Sequence, residues 1–387
     1  MRVLLAPDAF GPLTATQAAD AIAAGWREQA PGDTLATCPQ SDGGAGFVDV
    51  VLAARGGELL PVTVSGPLGA PVPATVLVCP ASGAEQGQHG EPETAYVEAA
   101  QACGLHLLGP DLRDPWRATS RGLGELLLAA IATGAQRIVV GVADTASHDA
   151  GAGLLAALGV GEGRLDGGGG SLSTVAPDDL VGLPAARDRL REVELVVAPA
   201  TDIPLLGFHG ASAVEAAGRG AGAEQAQALE ASLGHFAQLA EGALVAGRPL
   251  AGTAIAARPG AGAGGGAAFA LMLLGARWVD GVQAAAEATR LADRVRGSDL
   301  VVTGEELFGW ESTRAGVVKH LAAVALEVGV PSVVIAQHVE VGRRETSNLG
   351  LSGAYAVVEG PPGGAPPADP AGALAARARR VARTWSH

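Results

Sequence analysis

The chain opens on a short apolar run that stops at a proline and an aspartate. Residues 3–6 predict a buried strand, and Asp8 follows directly after Pro7. A helix is predicted next, because Thr14 and Gln17 match a capping box and apolar residues then recur at helical spacing. Strand, acidic loop and helix in this order are typical of a parallel α/β sheet. We therefore expect Asp8 at the carboxyl edge of that sheet, where such sheets bind ligands.

The same pattern returns later in the chain. Further strands are predicted at residues 34–39, 300–303, 332–336 and 354–358, and helices at 47–54 and 314–328. Two early and three late strands predict a five-stranded parallel sheet of the flavodoxin-like type, interrupted by a long insertion. In that order the first and third strands flank the point where the binding crevice opens. These strands end in Asp8 and in Gly304-Glu305.

The insertion has a different pattern. Residues 59–79 alternate apolar and small residues around a Gly-Pro-Leu-Gly turn, which predicts a hairpin, and strands are expected at 95–98, 137–142 and 193–198. We therefore predict two α/β domains, one made of residues 1–62 and 285–387 and the other of 63–284, with the active cleft between them. The runs 167–170 and 361–367, rich in glycine and proline, are predicted to be flexible surface connections.

Composition reduces the number of functions that fit this chain. The 387 residues carry a formal net charge of −14, which argues against binding to nucleic acid or to an anionic membrane surface. The start of the chain does not match a signal peptide and no apolar run is long enough to span a bilayer, so we expect a cytoplasmic protein.

Cys38, Cys79 and Cys103 are too widely spaced to indicate a disulfide framework or a zinc site. Lys319, the only lysine, does not follow a glycine in a P-loop motif.

Three acidic residues follow predicted strands: Asp8, Asp42 and Glu305. Carboxylates gathered at one edge of a sheet suit Mg²⁺ or the orientation of a substrate hydroxyl, since hard cations take oxygen ligands. The alternative for each residue is a helix cap or a turn. The presence of three together favours the functional interpretation.

Two further segments combine polar or flexible residues with the start of a helix. Residues 144–151 place hydroxyls, His148 and Asp149 after a predicted strand, which suits a polar ligand; the alternative is that His148 and Asp149 are a capping pair. Residues 259–266 are rich in glycine, which suits an anion held by backbone N–H groups; the alternative is a close-packed turn. Arg113 or Arg121 could bind a carboxylate or phosphate, or be solvated.

Seven motifs, taken together and in this order, resemble the bacterial glycerate kinase family that contains the tartronate-pathway and glycolate-pathway enzymes. They are Ala-Pro-Asp-Ala-Phe at 6–10, Ser-Asp-Gly-Gly at 41–44, the segment 64–71, Thr-Ser-Arg-Gly at 119–122, the turn 149–153, Pro-Gly-Ala-Gly at 259–262 and Thr-Gly-Glu at 303–305. The resemblance covers almost the whole chain. It implies a two-domain α/β fold with both termini in the flavodoxin-like domain. It also implies ATP-dependent phosphorylation of D-glycerate, typically at the 2-hydroxyl, with Mg²⁺.

The resemblance also implies roles for the motif residues. The residues assigned to catalysis are Asp8, Asp42 and Asp149. The residues assigned to substrate binding are Ser41, Gly43, Gly44, Thr119 and Ser120. Nucleotide binding falls on Gly260, Gly262, Gly264, Thr303, Gly304 and Glu305. The partners expected are a small hydroxy acid and a nucleotide; no metal ligand or oligomeric state is assigned.

The chain departs from the family motifs where charge is expected. Gly11 stands at the place of a lysine, and Ala200 and Gly309 at the places of aspartates. Lysine and aspartate supply the charge stabilisation on which phosphoryl transfer depends. Arg219 and Lys319 are candidates to replace the lost cations. Two alternatives stay open: a family member without phosphoryl transfer that acts as a small-molecule binding or regulatory protein, and a kinase for another hydroxy acid.

Overall fold

The computed structural model describes residues 1–83, 90–161, 163–245, 254–360 and 367–386. The chain divides into two compact units. The first unit contains Met1–Asp42, Asp49–Gly56 and Val282–His387, and the second unit contains Gly43–Val48 and Gly57–Gly281. The sequence prediction placed the boundaries after residues 62 and 284.

The strands, in chain order, are β1 (Arg2–Leu5), β2 (Thr34–Thr37), β3 (Glu58–Ser65), β4 (Pro71–Cys79), β5 (Thr94–Glu98), β6 (Arg137–Val142), β7 (Glu194–Pro199), β8 (Arg277–Trp278), β9 (Leu300–Phe308), β10 (Ser332–Val339) and β11 (Gly353–Ala356). The α-helices are α1 (Ala15–Gln29), α2 (Phe47–Arg55), α3 (Ala99–Cys103), α4 (Arg121–Ala132), α5 (Ala152–Ala157), α6 (Leu183–Arg189), α7 (Ala211–Glu215), α8 (Ala223–Val245), α9 (Ala267–Leu273), α10 (Gly281–Ala288), α11 (Leu291–Arg296), α12 (Val317–Glu327), α13 (Arg343–Asn348) and α14 (Pro370–Trp385).

The first unit is built on a five-stranded sheet in the order β11-β10-β9-β1-β2. Every neighbouring pair is parallel, so the predicted flavodoxin-like sheet is confirmed. Helices α1 and α14 share one core cluster with this sheet, in which Ile22 and Trp26 pack with Val381. A second cluster joins the sheet to α11 and α12. Covering both faces with helices is what a parallel sheet requires, because both faces are apolar.

The second unit is built on a six-stranded sheet in the order β3-β4-β5-β6-β7-β8. Strands β3 and β4 form the predicted antiparallel hairpin, and the strands from β5 to β8 are parallel. The glycine at position 66 donates its N–H to the Ala70 carbonyl at 2.6 Å and closes the hairpin turn. Strands β5, β6 and β7 are buried along almost their whole length. The carboxyl end of β6 carries the segment 144–151 that the sequence singled out.

The predicted helix start after β1 is confirmed. The Gln17 backbone N–H donates to Thr14 Oγ1 at 3.2 Å, and the Thr14 N–H donates to Gln17 Oε1 at 3.0 Å, which is a capping box. In the part of the chain that the structure describes, no helix combines the length and the apolar character needed to cross a bilayer. Cys38 and Cys103 are buried free thiols, and Cys79 is also buried.

One predicted surface connection is wrong. Gly168 and Gly169 are buried, and the Gly170 N–H donates to the Trp116 carbonyl at 2.9 Å. A Cβ on Gly169 would lie 2.3 Å from the His148 carbonyl oxygen, so the run is rich in glycine because backbone passes close to backbone there. The other predicted connection falls mainly on residues 361–366, which lie outside the described residues.

Candidate functional site

Asp8 and Glu305 lie opposite each other at the carboxyl edge of the first unit's sheet. Leu5 is the register partner of Val302, and the pairing continues past β1 because the Asp8 N–H donates to the Gly304 carbonyl at 2.8 Å. The Asp8 carboxylate accepts a hydrogen bond from the Ala9 N–H at 2.7 Å. Partners in register on neighbouring strands point to the same face of a sheet. The two acidic residues that the sequence placed at strand ends are therefore neighbours at the point where a flavodoxin-like sheet binds ligands.

Glu305 has an unusual environment for a carboxyl group. Burial raises its pKa to about 7, although a hydrogen bond with Ser312 acts in the opposite direction. Its Oε1 atom is buried and has no hydrogen-bond partner among the residues that the structure describes. A carboxyl group with these properties changes its charge near neutral pH.

Thr303 and Gly304 hold the strands together beside Glu305. Thr303 is fully buried and its hydroxyl donates to the Ala6 carbonyl at 3.0 Å. A Cβ on Gly304 would lie 2.8 Å from the Ile335 carbonyl oxygen, so a larger residue would push β9 away from β10. The packing of the strands by itself accounts for a threonine at position 303 and a glycine at position 304. The predicted role of both residues in nucleotide binding stays a prediction.

Ser41 and Asp42 follow β2 at the same edge of the sheet. The Gln40 N–H donates to the Pro7 carbonyl at 2.9 Å, which continues the pairing of β1 with β2 up to the position of Asp8. Ser41 is buried and Asp42 is half-buried. The first unit therefore brings Asp8 and Asp42, which follow β1 and β2, to the same edge as Glu305. Glu305 itself lies inside β9 and not after it, because the pairing with β10 continues to Phe308 and the prediction that this strand ends at residue 303 is wrong.

The glycines that continue this motif belong to the second unit. A Cβ on Gly43 would lie 2.6 Å from the Ala198 carbonyl oxygen at the end of β7, and the backbone there has a φ of +96°. Gly44 is also buried. The next residue, Ala45, donates its N–H to the Asp144 carboxylate at 3.4 Å. The predicted substrate-binding loop is thus fixed against the carboxyl ends of β6 and β7.

Glu98 supports the same loop and was missed from the sequence. It ends β5, and its carboxylate accepts hydrogen bonds from the Gly46 N–H at 3.3 Å and the Val48 N–H at 3.0 Å. These N–H groups lie at the start of α2, where unpaired N–H groups need acceptors. The signal that identified Asp8, an acidic residue at the end of an apolar strand, also applies to Glu98.

Asp149 is fully buried and ties two helix starts together. One carboxylate oxygen accepts from the Ser120 N–H at 2.8 Å, the Ser120 hydroxyl at 2.9 Å and the Gly153 N–H at 3.1 Å. The other oxygen accepts from the Gly151 N–H at 3.1 Å. Burial raises the pKa of Asp149, while these hydrogen bonds act to lower it. These contacts are those of a capping residue, and the predicted catalytic role stays untested.

The other two side chains of this group are also held inside the unit. Ser120 is fully buried, and its hydroxyl accepts from the Leu154 N–H at 3.0 Å. Thr119 Oγ1 accepts from the Arg121 N–H at 3.2 Å. The Thr119 N–H donates to the Pro67 carbonyl at 2.9 Å. Thr119 and Ser120 thus fix the start of α4.

His148 lies in the core. Its Nε2 atom is 3.0 Å from Ser212 Oγ, and the residue is fully buried. Burial, helped by the charge of Arg219, lowers its pKa to about 3. The imidazole is therefore neutral at physiological pH, and the predicted pairing of His148 with Asp149 as caps holds only for Asp149.

Arg219 is engaged inside the second unit. The guanidinium lies 2.7 Å from the Glu215 carboxylate and its Nε donates to the Thr145 carbonyl at 2.7 Å. Glu215 in turn accepts from the Gly265 N–H at 3.2 Å. Arg219 therefore connects the 144–151 turn to the glycine-rich loop. The other candidate cation, Lys319, donates to the Arg314 carbonyl.

The glycine-rich loop is closely packed. Residues 260–266 are all buried, and a Cβ on Gly264, at a φ of +63°, would lie 2.6 Å from Val142 Cγ1. The Gly262 N–H donates to the Ile203 carbonyl at 2.9 Å. A Cβ on Gly260 would lie 2.6 Å from Trp278 Nε1. These contacts are those of the close-packed turn that we weighed as the alternative, and nucleotide binding by Gly260, Gly262 and Gly264 stays a prediction.

The two candidate arginines have partners within the protein. Arg121 lies 3.0 Å from Glu125 and 2.7 Å from Asp166. Arg113 donates to the Gly218 carbonyl at 3.1 Å. Over the described ranges, no three side chains of His, Cys, Asp or Glu converge on a common point that could hold a metal ion.

Comparison with known proteins gives a consistent result. The model of the glycerate kinase family matches residues 3–386. The glycerate kinase of Bacillus subtilis (strain 168) is 35% identical over 370 residues, which cover 93% of this chain and 91% of the relative. The glycerate 2-kinase of Escherichia coli (strain K12) is 35% identical over 343 residues, with 87% and 85% covered. A crystal structure described as glycerate kinase 2 from Salmonella typhimurium LT2 has a TM-score of 0.75 and 29% identity, covering 99% of this chain and 98% of that one.

Proposed function

Because this chain belongs to the glycerate kinase family, we propose that it transfers the γ-phosphoryl group of ATP to the 2-hydroxyl of D-glycerate. The observation that carries the proposal is the match of the family model to residues 3–386. The relatives named glycerate kinase and glycerate 2-kinase support the acceptor and the hydroxyl. The hydrogen bond of the Asp8 N–H to the Gly304 carbonyl, which places Asp8 beside Glu305, supports the location, since parallel sheets of this type bind ligands there.

Phosphoryl transfer depends on positioning and on the neutralisation of negative charge. We assign Asp8 to orient the acceptor hydroxyl and to receive its proton, and Asp42 to act beside it at the edge of the sheet. Neither carboxylate supplies positive charge. The charge of the phosphates therefore has to be neutralised by other groups.

A magnesium ion is the cofactor expected for this chemistry. A kinase site commonly holds Mg²⁺ by one or two carboxylates together with the phosphates of the substrate, so a cluster of three protein ligands is not needed. The oxygen-rich edge that carries Asp8 and Asp42 fits such an ion, and Glu305 Oε1 at this edge has no hydrogen-bond partner in the described part of the chain. Asp42 is the residue that would hold it together with the phosphates, which leaves Asp8 to receive the proton of the acceptor hydroxyl. When bound, Mg²⁺ neutralises the phosphate oxygens and polarises the transferred group.

Substrate and nucleotide are assigned to different residues. Ser41, Gly43, Gly44 and Thr119 are proposed to contact the hydroxy acid, and Thr303, Gly304, Glu305, Gly260, Gly262 and Gly264 to contact or support the nucleotide. Ser120 and Asp149 are proposed as positioning residues, because their polar atoms are already bonded to the starts of α4 and α5. Their effect on catalysis would come through the loops that they hold.

A turnover experiment tests the proposal. The purified protein is incubated with ATP, Mg²⁺ and D-glycerate, and phosphorus NMR distinguishes 2-phosphoglycerate from 3-phosphoglycerate. We expect 2-phosphoglycerate and its loss in Asp8→Asn, whereas Asp20→Asn, an exposed aspartate of α1, serves as the matched control. Absence of any phosphoglycerate above the no-enzyme level, from a folded sample, would contradict the proposal.

A second candidate function is ligand binding without phosphoryl transfer. The observation that favours it is at Gly11, where the nearest side-chain atoms to a Cβ would be oxygens of Gln337 and Glu306 and not a cation. Calorimetry with D-glycerate and with ATP separates the two functions, because a binding protein takes up a ligand without forming product. Turnover of another hydroxy acid in place of glycerate would instead indicate a different acceptor.

A further inference from the structure

Strands β9 and β10 extend past the position of Asp8. The Asp8 N–H donates to the Gly304 carbonyl at 2.8 Å, whereas the pairing of β9 with β10 continues to Phe308 and Val339. At a rise of about 3.3 Å per residue, β9 therefore runs on for about 13 Å beyond Gly304. The turn 309–313 lies at the end of this extension.

This end of the first unit exposes a tryptophan. Trp310 is 61% exposed, and Leu307, near the end of β9, is 42% exposed. Among the described residues of the first unit, Trp310 is the only tryptophan, tyrosine or phenylalanine that is more than half exposed. An aromatic side chain buries about 150 to 250 Å² of surface when it is covered. Trp310 therefore offers a large, accessible ring to a ligand.

Hydrogen bonds fix the backbone on both sides of Trp310. Ser312 Oγ accepts from the Gly309 N–H at 3.2 Å and donates to the Leu307 carbonyl at 3.1 Å. The Trp310 carbonyl accepts from the Thr313 hydroxyl at 2.6 Å and from the Thr313 N–H at 3.2 Å. A turn held in this way presents the indole at a fixed place, which reduces the free energy needed to order it when a ligand binds.

The charges around Trp310 favour an uncharged ligand group. Glu311 follows it and is exposed. Glu340 Oε2 would lie 3.0 Å from a Cβ on Gly309, the residue before the tryptophan. Carboxylates repel a phosphate or another anionic group, but they do not repel a neutral ring. A ring that carries an amino group can also donate a hydrogen bond to a carboxylate.

We propose that Trp310 stacks on the adenine ring of bound ATP. The inference rests on the proposed kinase function, in which Thr303, Gly304 and Glu305 contact or support the nucleotide. Trp310 follows the end of β9, about 13 Å beyond Gly304, and a triphosphate with its ribose spans a length of this order. Aromatic side chains bind bases by stacking, because every base has a flat π surface. Glu305 and Trp310 would thus contact opposite ends of one nucleotide.

Nucleotide affinity tests this inference. Calorimetry measures the Kd of ATP, with Mg²⁺ and without glycerate, for the wild type, Trp310→Ala and Trp310→Phe. We expect Trp310→Ala to weaken ATP binding by about tenfold, and Trp310→Phe, which keeps an aromatic ring, to stay close to the wild type. Tripolyphosphate has no base, so its Kd should be the same in all three proteins. Leu326→Ala is the matched control, because Leu326 is 62% exposed on α12 of the same unit.

Tryptophan fluorescence locates the contact. We expect ATP to quench the fluorescence of the wild type and of Trp278→Phe, which removes an exposed tryptophan of the second unit. ATP should not quench Trp310→Phe, although this variant still binds it. An ATP Kd that is unchanged in Trp310→Ala, or a tripolyphosphate Kd that is weakened equally, would overturn the inference. Quenching that persists in Trp310→Phe would do the same.

The stacking and the kinase function fail in different ways. ATP that binds through Trp310 but is never used to phosphorylate glycerate would contradict the kinase function alone. Phosphorylation of glycerate with an ATP Kd unchanged in Trp310→Ala would contradict the stacking alone. If the wild type bound no ATP, both would be wrong.

Discussion

The Asp149 carboxylate accepts two hydrogen bonds from Ser120, from its backbone N–H at 2.8 Å and from its hydroxyl at 2.9 Å. Because Asp149 also accepts from Gly151 and Gly153, one buried side chain supplies acceptors to the starts of both α4 and α5. The Ser120 hydroxyl extends the link by accepting from Leu154. Two loops that carry family motifs are thus held in place by a carboxylate that solvent does not reach.

Removing this carboxylate should destabilise the protein strongly. Asp149→Ala leaves several buried donors without an acceptor, so we expect the free energy of unfolding to fall by about 3 to 5 kcal/mol. Asp149→Asn retains one acceptor oxygen, so its free energy of unfolding should lie between those of Asp149→Ala and the wild type. Urea denaturation followed by tryptophan fluorescence measures both. Asp111→Ala, at an exposed position of the same unit, is the control, and an equal loss in that variant would contradict the assignment.

Ala150 occupies a backbone conformation that favours glycine. Its φ is +51° and it is fully buried, next to Asp149. The left-handed conformation costs a residue with a Cβ about 1 to 2 kcal/mol, so Ala150→Gly should leave the protein equally stable or more stable. Ala129→Gly inside α4 is the matched control and should cost about 1 kcal/mol. Differential scanning calorimetry of the two variants checks the expected difference in melting temperature, and equal destabilisation would contradict it.

Glu305 should make stability depend on pH. Its pKa is raised from 4.5 to about 7, so between these pH values the folded protein binds more protons than the unfolded chain. The free energy of unfolding therefore falls as pH rises through this window. Above pH 7 the ionised, buried carboxylate costs on the order of 3 kcal/mol, and below the window the cost disappears.

The variant Glu305→Gln removes this dependence. We expect it to be more stable than the wild type above about pH 7 and equally stable near pH 4. Thermal unfolding is measured across this range in chelator, so that a bound metal ion does not contribute. Glu327→Gln controls for the loss of an exposed carboxylate. If Glu305→Gln and the wild type differed in stability by the same amount at all pH values, Glu305 would not be the group that takes up a proton in this pH range.

The ion pair of Arg219 and Glu215 should be energetically coupled. Arg219 is 4% exposed and Glu215 19%, so removing one partner leaves a poorly solvated charge. We expect Arg219→Ala to cost about 3 to 5 kcal/mol, and a double-mutant cycle with Glu215→Ala to give a coupling of about 1 to 3 kcal/mol. The pair Arg191 and Asp188, at 2.9 Å but more than half exposed, is the control. Its coupling should stay below about 1 kcal/mol, and equal couplings would contradict the role of burial.

Much of the fold follows from the sequence because it depends on local patterns. Apolar runs of strand length and helical spacing of apolar residues placed β1, β6 and α1 close to their observed positions. The position of Asp8 at the sheet edge follows from the same pattern. The order of strands in the first unit followed because parallel strands with alternating helices have few alternatives.

Other features depended on which atoms meet in space. Glu98 was missed because nothing in its own sequence shows that the start of α2 lies beside the end of β5. The burial of Gly168 and Gly169 and of the glycine-rich loop was not predictable, since glycine suits both a flexible loop and a close backbone contact.

The sequence by itself determined the strands of both sheets other than β8, the helix α1 and the family, because periodicity and motif spacing are properties of the chain. Only the tertiary structure decided how far each polar group is buried and which hydrogen bonds it forms. Glu305 and Asp149 are both acidic residues of motifs that the sequence singled out. Among the described residues, however, Glu305 has an oxygen without a hydrogen-bond partner, whereas the Asp149 carboxylate accepts four hydrogen bonds. The physical reason is that desolvation and hydrogen bonding depend on the atoms around a side chain, and those atoms come from parts of the chain far apart in sequence.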